Sequence, residues 1–170
     1  MRVEPRVRIR PPAHADEHAF VAAVRGSRSL HRPWTTPPDT PAAYRAWLER
    51  MAPPAHHAFL VCRGDDGAIA GVITLTNIVM GAFRSGYLGY YAFAGHERQG
   101  LMSAGLRAVV RHAFRTLGLH RLEANIQPGN AASIALVASC GFSKEGYSPR
   151  YLKIGGRWRD HERWAIVAPS

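Results

Sequence analysis

The 170-residue sequence is short of cysteine, of acidic residues and of long apolar runs. Its two cysteines, Cys62 and Cys140, are too few for a disulfide framework or a cysteine-based metal site, which predicts a reduced compartment and no bound metal. No apolar run approaches the roughly 18 residues that a membrane-spanning helix needs. The N-terminal stretch MRVEPRVRIRPP is charged and has no apolar centre, which argues against a secretory signal. These absences predict a cytoplasmic protein.

Acidic residues number 12 against 22 basic ones, nearly all of them arginine, and the formal net charge is +10. Such an excess attracts polyanions, so nucleic acid, a ribosome surface or a multiply phosphorylated cofactor would each fit. The basic residues are scattered, however, and no Lys/Arg run, zinc-binding spacing or RNA-binding aromatic motif occurs. The charge alone therefore predicts no specific nucleic-acid binding, and compositional bias explains it equally well.

The residues that are abundant describe one ordinary globular unit. Hydrophobic residues make up 46% and charged residues 20% of the chain, which is typical of a folded domain. A chain of this length buries roughly 70% of the surface that it exposes when unfolded. Because no repeat, low-complexity segment or linker divides the sequence, we predict a single domain over residues 1–170.

The first half of the chain predicts a strand, two helices and three further strands. Thr40 followed by Pro41 is typical of a capped helix start, and a Pro-rich loop at residues 31–40 precedes that helix. The predicted elements are a strand at 7–10, helices at 15–24 and 41–51, and strands at 58–63, 68–78 and 86–93.

The second half changes to a helical period. From Leu101 onward apolar residues recur every three or four positions, which predicts a long amphipathic helix that Gly118 ends. A strand at 121–127, a helix at 131–140 and two strands within 143–167 complete the order βααβββαβαββ. This order implies an α/β (α+β) fold, in which a mixed sheet carries helices on both faces.

The loop Gly95–Gly100 (GHERQG) lies between the strand that ends at Phe93 and the helix that begins at Leu101. The first amides of a helix have no intrahelical acceptor, and the helix dipole adds about half a positive charge there. Such a turn suits a phosphate or pyrophosphate. Alone it is a weak signal, since it matches neither GxGxxG nor GxxxxGK[ST].

Five motifs follow one another through the second half of the chain. They are Arg98–Met102, His120–Asn125, Pro128–Ser133, Gly141–Tyr147 and Gly156–His161. In this order they resemble the GNAT superfamily of acetyl-CoA-dependent N-acetyltransferases, and within it the RimJ/RimL type, which acetylates N-terminal amines of ribosomal proteins. The resemblance implies the GNAT fold, whose mixed, mostly antiparallel sheet splays at the cofactor strand, and acetyl-CoA as co-substrate.

Two places depart from the family pattern. The phosphate loop usually reads [QR]-x-x-G-x-[GA], whereas Glu97 and Met102 hold the outer positions here, and Met at the second is common in the RimJ/RimL type. Glu97 brings a negative charge to the expected pyrophosphate and would weaken its binding unless it points outward. RimJ-like proteins often carry Glu and Ala where this chain has Ala104 and Gly105.

The resemblance implies a set of residues that hold the cofactor. Backbone groups of the splayed strand, at Tyr91, Ala92 and Phe93, would bind the pantetheine arm, and Asn130 would contact it. Backbone amides of the phosphate loop would bind the pyrophosphate, with the Arg98 side chain adding a charged contact. The loop residues are Arg98, Gln99, Gly100, Leu101, Met102 and Ser103.

The implied reaction is direct attack of a neutral amine on the acetyl carbonyl, with the oxyanion held by a backbone N–H of the splayed strand. Ser133 is the predicted donor to the departing thiolate, with Tyr147 in reserve. Glu123 is the candidate general base, and its alternative is a strand-edge carboxylate paired with an arginine. The histidines His31, His96, His120 and His161 are predicted to be surface or capping residues.

The resemblance implies that Trp34 lies at the acceptor cleft, where other aromatic residues could complete the floor, and the alternative for each of them is core filling. Trp34, Tyr87 and Tyr90 are the candidates. The predicted function is acetyl transfer to the N-terminal α-amine of a protein or peptide, which could be ribosomal. Two alternatives stay open, namely acetylation of a small-molecule amine and a non-catalytic acyl-CoA-binding domain. The sequence also leaves a homodimer open.

Overall fold

The computed structural model describes residues 5–170, so the first four residues of the basic N-terminal stretch lie outside the described part. The strands are β1 (Val7–Arg10), β2 (His57–Arg63), β3 (Ile69–Val79), β4 (Ser85–Ala92), β5 (Arg121–Ile126), β6 (Ser143–Ile154) and β7 (Arg157–Val167). The helices are α1 (Glu17–Arg25), α2 (Arg28–His31), α3 (Pro41–Arg50), α4 (Leu101–Arg115) and α5 (Ala131–Ser139). Among these helices none is long and apolar enough to cross a membrane.

The seven strands form one sheet in the order β1-β2-β3-β4-β5-β7-β6. Every neighbouring pair is antiparallel except β4 and β5, which run parallel because α4 crosses between them. The prediction of a mixed, mostly antiparallel sheet is therefore confirmed.

Two apolar clusters cover the two faces of the sheet. On one face α4 and α5 pack on the central strands, and Leu106 and Val109 of α4 are fully buried there. On the other face α1 and α3 bring Phe20, Tyr44 and Trp47 against the sheet. Helices on both faces explain why β2 is apolar without alternation, since both of its sides are covered.

The structure contains a helix that the sequence pattern did not predict. The single turn α2 directly follows α1, and Ser27 at their junction donates its hydroxyl to the carbonyl of Ala23 at 2.6 Å and accepts the N–H of Ala94 at 2.9 Å. One turn is too short to show helical periodicity. This contact fixes α2 beside the C-terminal end of β4.

The sheet opens at the C-terminal end of β4. Strand β4 pairs with β3 as far as Ala92, but with β5 only over Ser85–Leu88, while β5 turns away with β7. We call the opening beside Gly89–Ala92 the gap. Phe93 donates its N–H to the carbonyl of Ala70 at 2.8 Å, and backbone groups alternate along an antiparallel strand. It follows that the N–H and C=O of Tyr90 and Ala92 face the gap, and those of Tyr91 face β3.

Candidate active site

The gap opens into a cavity of about 680 Å³, which we call the main cavity. Strand β4, the N-terminal ends of α4 and α5, and α2 with the loop after it surround the opening. Ten cofactor residues were predicted from the sequence, and eight of them line this cavity: Tyr91, Ala92, Arg98, Gly100, Leu101, Met102, Ser103 and Asn130.

The two others lie next to the cavity without lining it. Phe93 is 1% exposed, its ring belongs to the core beneath β4, and its N–H is occupied by β3. Gln99 accepts from the Arg63 guanidinium at 3.0 Å and donates to the Gly95 carbonyl at 3.3 Å. Its side chain therefore ties the loop to β2 instead of facing a ligand.

The N-terminal end of α4 presents free amides to the main cavity. The first intrahelical bond runs from Ala104 N–H to Gly100 O, and the amides of Leu101, Met102 and Ser103 find no acceptor within residues 5–170. Gly100 has φ +73° and Arg98 φ +59°, so the chain turns sharply before the helix. Successive N–H groups in such a turn form a concave anion site. This geometry suits the predicted pyrophosphate.

Glu97 also lines the main cavity, with its carboxylate folded back on its own loop. An oxygen of Glu97 accepts the N–H of Gly95 at 2.7 Å. Backbone N–H groups, first its own and then that of Gly95, lower the pKa of the Glu97 carboxyl. The side chain therefore carries a negative charge at neutral pH beside the anion site, although it does not occupy the amides of Leu101 to Ser103.

We expect Glu97→Gln to strengthen coenzyme A binding about threefold to tenfold at low salt, because a like charge near the pyrophosphate is removed. Titration calorimetry at two salt concentrations measures this, and the gain should shrink as salt is added. Glu49→Gln, on the exposed side of α3, is the matched control. Unchanged affinity at low salt would show that Glu97 faces away from the bound cofactor.

Asn130 and Ser133 meet Tyr90 at the other end of the main cavity. Asn130 caps α5, since its Oδ1 accepts the N–H of Ser133 at 3.3 Å. The Tyr90 hydroxyl lies 2.6 Å from Ser133 Oγ and 3.1 Å from the Ser133 carbonyl oxygen. Burial raises the pKa of Tyr90 to about 12, although the Ser133 hydrogen bond acts to lower it. Tyr90 therefore keeps its proton at neutral pH.

The remaining predicted catalytic residues lie away from the main cavity. Glu123 accepts from Arg121 at 2.8 Å, and Arg121 also pairs with Glu145, which is the arrangement that the sequence allowed as the alternative to a base. Tyr147 donates to Asp160 at 2.5 Å in a second cavity of about 330 Å³. Neither side chain lines the main cavity.

Of the three predicted acceptor residues, Trp34 and Tyr90 line the main cavity, whereas Tyr87 does not. Trp34 lines both cavities and forms the wall between them, with its ring packed over Gly129. Tyr90 lines the main cavity only. Tyr87 lines neither cavity, because its position in β4 falls where β4 still pairs with β5. The second cavity has further aromatic and acidic groups, notably Trp158 and Asp160.

The prediction of surface or capping positions is wrong for two histidines. His161 is 2% exposed and His31 4% exposed. His31 lines the main cavity, and its Nε2 lies 2.7 Å from the carbonyl oxygen of Ala92, so Nε2–H donates there. The Ala92 carbonyl is thereby occupied, which leaves the Ala92 N–H and the Tyr90 groups to face the gap. No sequence signal pointed to His31, since it depends on the unpredicted α2.

Comparison with known proteins matches this architecture. Residues 6–143 match the family model described as "Acetyltransferase (GNAT) domain". "Probable N-acetyltransferase YjcK" of Bacillus subtilis is 35% identical over 73% of this chain and 68% of its own length. "[Ribosomal protein uS5]-alanine N-acetyltransferase" of Escherichia coli is 43% identical over 62% of this chain, but that match spans only 55% of the relative.

A solved structure agrees with both the fold and the relatives. "Mycobacterium smegmatis RimJ in complex with CoA-disulfide" superposes with a TM-score of 0.88 at 29% identity, covering 95% of this chain and 82% of that one. With the matched family model and the splayed sheet, these likenesses establish that the chain belongs to the GNAT acetyltransferase family, within which it is similar to RimJ-type members.

Proposed function

We propose that this acetyltransferase moves the acetyl group of acetyl-CoA to the N-terminal α-amine of a protein or peptide. The observation that carries the proposal is the main cavity, which joins an anion site of free helix amides to an unpaired strand edge. A pyrophosphate at Leu101 to Ser103 and a pantetheine arm along the gap would together occupy it. The solved RimJ structure is a complex with CoA-disulfide, which supports this ligand.

Acetyl transfer would then take place at the end of the gap nearest Ala92. The N–H of Ala92 faces the gap and would donate to the oxyanion that forms when an amine attacks the acetyl carbonyl carbon. The C–S bond breaks, the electron pair stays on sulfur, and the amine nitrogen releases its extra proton to solvent. Ser133, across the cavity, is the hydroxyl that can donate to the thiolate.

An α-amine acceptor needs less help from a general base than a lysine side chain does. An α-amine has a pKa of about 8 and a lysine side chain about 10.4, so deprotonating the lysine costs roughly 3 kcal/mol more at neutral pH. Glu123 is held by Arg121 and lines neither cavity. The second cavity, which shares Trp34 with the main one, offers aromatic faces and the Asp160 carboxylate to a cationic N-terminus.

An acceptor screen tests the proposed function. We expect acetyl-CoA-dependent thiol release with a peptide that has a free N-terminal alanine, and no release with the same peptide blocked at its N-terminus but carrying an internal lysine. Mass spectrometry should place one acetyl group on the α-amine. Release only with small amines such as aminoglycosides would support the alternative function. A lack of coenzyme A binding, measured by heat or thermal protection, would contradict both.

A further inference from the structure

Tyr90 and Ser133 form a pair of hydrogen-bonded hydroxyl groups at the main cavity. Tyr90 belongs to the splayed part of β4, and its side chain crosses the gap to the first turn of α5. The two oxygens are 2.6 Å apart, and both side chains line the main cavity. Ser139, the other serine of α5 at this cavity, is not equivalent, because its hydroxyl donates to the Leu136 carbonyl at 2.8 Å.

The two hydroxyl protons can be arranged in two ways. In one, Tyr90 donates to the Ser133 carbonyl, and Ser133 donates back to the Tyr90 oxygen. In the other, Tyr90 donates to Ser133 Oγ, and the serine proton is free to point into the cavity. A hydroxyl has one proton and two acceptor lone pairs, so Ser133 can serve an anion in the cavity only in the second arrangement.

Resting on the proposed function, we propose that Tyr90 is a positioning residue that acts through Ser133. By donating to Ser133 Oγ it turns the serine proton toward the sulfur of the departing coenzyme A thiolate. Linked hydrogen bonds polarise one another, so Ser133 becomes a stronger donor than an isolated serine.

The pair stabilises the thiolate without giving up a proton. A thiol has a pKa near 8.5, below that of Tyr90, so proton transfer from the tyrosine to the thiolate is uphill. The C–S bond breaks, both electrons remain on sulfur, and Ser133 O–H hydrogen-bonds that sulfur. The sulfur takes its proton from solvent as coenzyme A leaves, and the amine nitrogen gives one to solvent, so the overall reaction balances.

A double-mutant cycle tests the coupling. We expect Tyr90→Phe to lower kcat about tenfold and Ser133→Ala about 30-fold, with the KM for acetyl-CoA unchanged, because one hydrogen bond to a charge is lost. The double variant should be no slower than Ser133→Ala, since Tyr90 has no effect without Ser133. Tyr44→Phe is the matched control, because the Tyr44 hydroxyl donates to the Ala13 carbonyl on the other face of the sheet. If the losses in kcat of the two single variants multiplied in the double variant, or if Tyr90→Phe kept full activity, the proposal would be overturned.

A binding measurement separates this inference from the proposed function and needs no acceptor. At pH 9, where the thiol is partly ionised, Tyr90→Phe should weaken coenzyme A binding about fivefold and leave desulfo-coenzyme A binding unchanged. Equal weakening of both ligands would mean that Tyr90 only shapes the cavity, and the inference would be wrong while the cofactor site stands. Failure of the unchanged protein to bind either ligand would instead refute the proposed function.

Discussion

Ser103→Asp is expected to weaken coenzyme A binding about 100-fold while leaving the protein as stable as before or slightly more so. Ser103 is the third residue of α4, and it lines the main cavity beside the free amides. A carboxylate there would sit within a few ångströms of the pyrophosphate, and two like charges about 5 Å apart near a protein surface repel by roughly 3 kcal/mol. The same carboxylate would also compete for the amides of Leu101 and Met102.

The expected change in stability is opposite in sign to the expected change in affinity, which makes the test specific. An acidic residue in the first turn of a helix interacts favourably with the helix dipole by about 0.3–1 kcal/mol, and α4 has no acidic residue in its first turn. Ser103→Asp should therefore keep or raise the melting temperature while the ligand is lost. General damage to the fold would instead lower the melting temperature and the coenzyme A affinity together.

Ser103→Asn is the control, because it has the same shape without the charge. Calorimetric titration with coenzyme A should give Ser103→Asn an affinity within about threefold of the unchanged protein. The difference in affinity between the Asp and Asn variants should shrink as salt rises. Pantetheine, which has no phosphate, should bind both variants alike. Equal coenzyme A affinities for Asp and Asn would place the pyrophosphate elsewhere and remove the main support for the proposed cofactor site.

The turn before α4 could be predicted from the sequence because its shape depends on the backbone. A strand, a turn with positive φ and a helix start fix where the amides point, and each has its own local signal in the residues from Tyr91 to Ser103. The same reasoning explains why the prediction for β4 differs in part from the structure. The strand itself was predicted, but its register against β3 decides that Tyr90 and Ala92, and not Tyr91 and Phe93, turn their backbone groups to the gap.

Contacts between distant segments could not be predicted from the pattern. His31 reaches Ala92 across 61 residues of chain, and Tyr90 reaches Ser133 across 43. A tyrosine in a strand can equally well fill the core, line the acceptor site or form a hydrogen bond. Its partner can be identified only once the helix is packed on the sheet. Trp34 differs from them because the family resemblance implied a cleft position for it, and it lines both cavities.

The position of α4 relative to the sheet depends on a close approach at Gly105. A Cβ at this position would lie 2.7 Å from both methyl carbons of Val61, in the centre of β2. Val61 is fully buried, and a β-branched side chain in a packed core has no free rotamer to turn into. The neighbouring Ala104 is 6% exposed, so a glutamate there would bury its carboxylate. The Ala104-Gly105 departure from the RimJ-like pattern is thus matched by the packing against β2.

Gly105→Ala is therefore expected to destabilise the protein by about 1–3 kcal/mol, although alanine is the better helix former by roughly 1 kcal/mol. For a chain of this size each kcal/mol corresponds to about 2–4 °C in melting temperature. Coenzyme A affinity should fall as well, because the helix must move away from β2 and carry the amides of residues 101–103 with it. Arg111→Ala, at an exposed position of the same helix, should change neither quantity appreciably.

A second substitution distinguishes steric overlap from any other cause. Val61→Ala alone should destabilise the protein by leaving a cavity, but in its background Gly105→Ala should become neutral or stabilising, since the overlapping methyl groups are gone and the helix propensity of alanine remains. Thermal unfolding of the four proteins measures the coupling, and titration with coenzyme A shows whether the double variant regains the affinity that Gly105→Ala loses. If Gly105→Ala destabilises equally in both backgrounds, Val61 does not set the distance between α4 and the sheet, and the position of the proposed phosphate site must depend on other contacts of the helix.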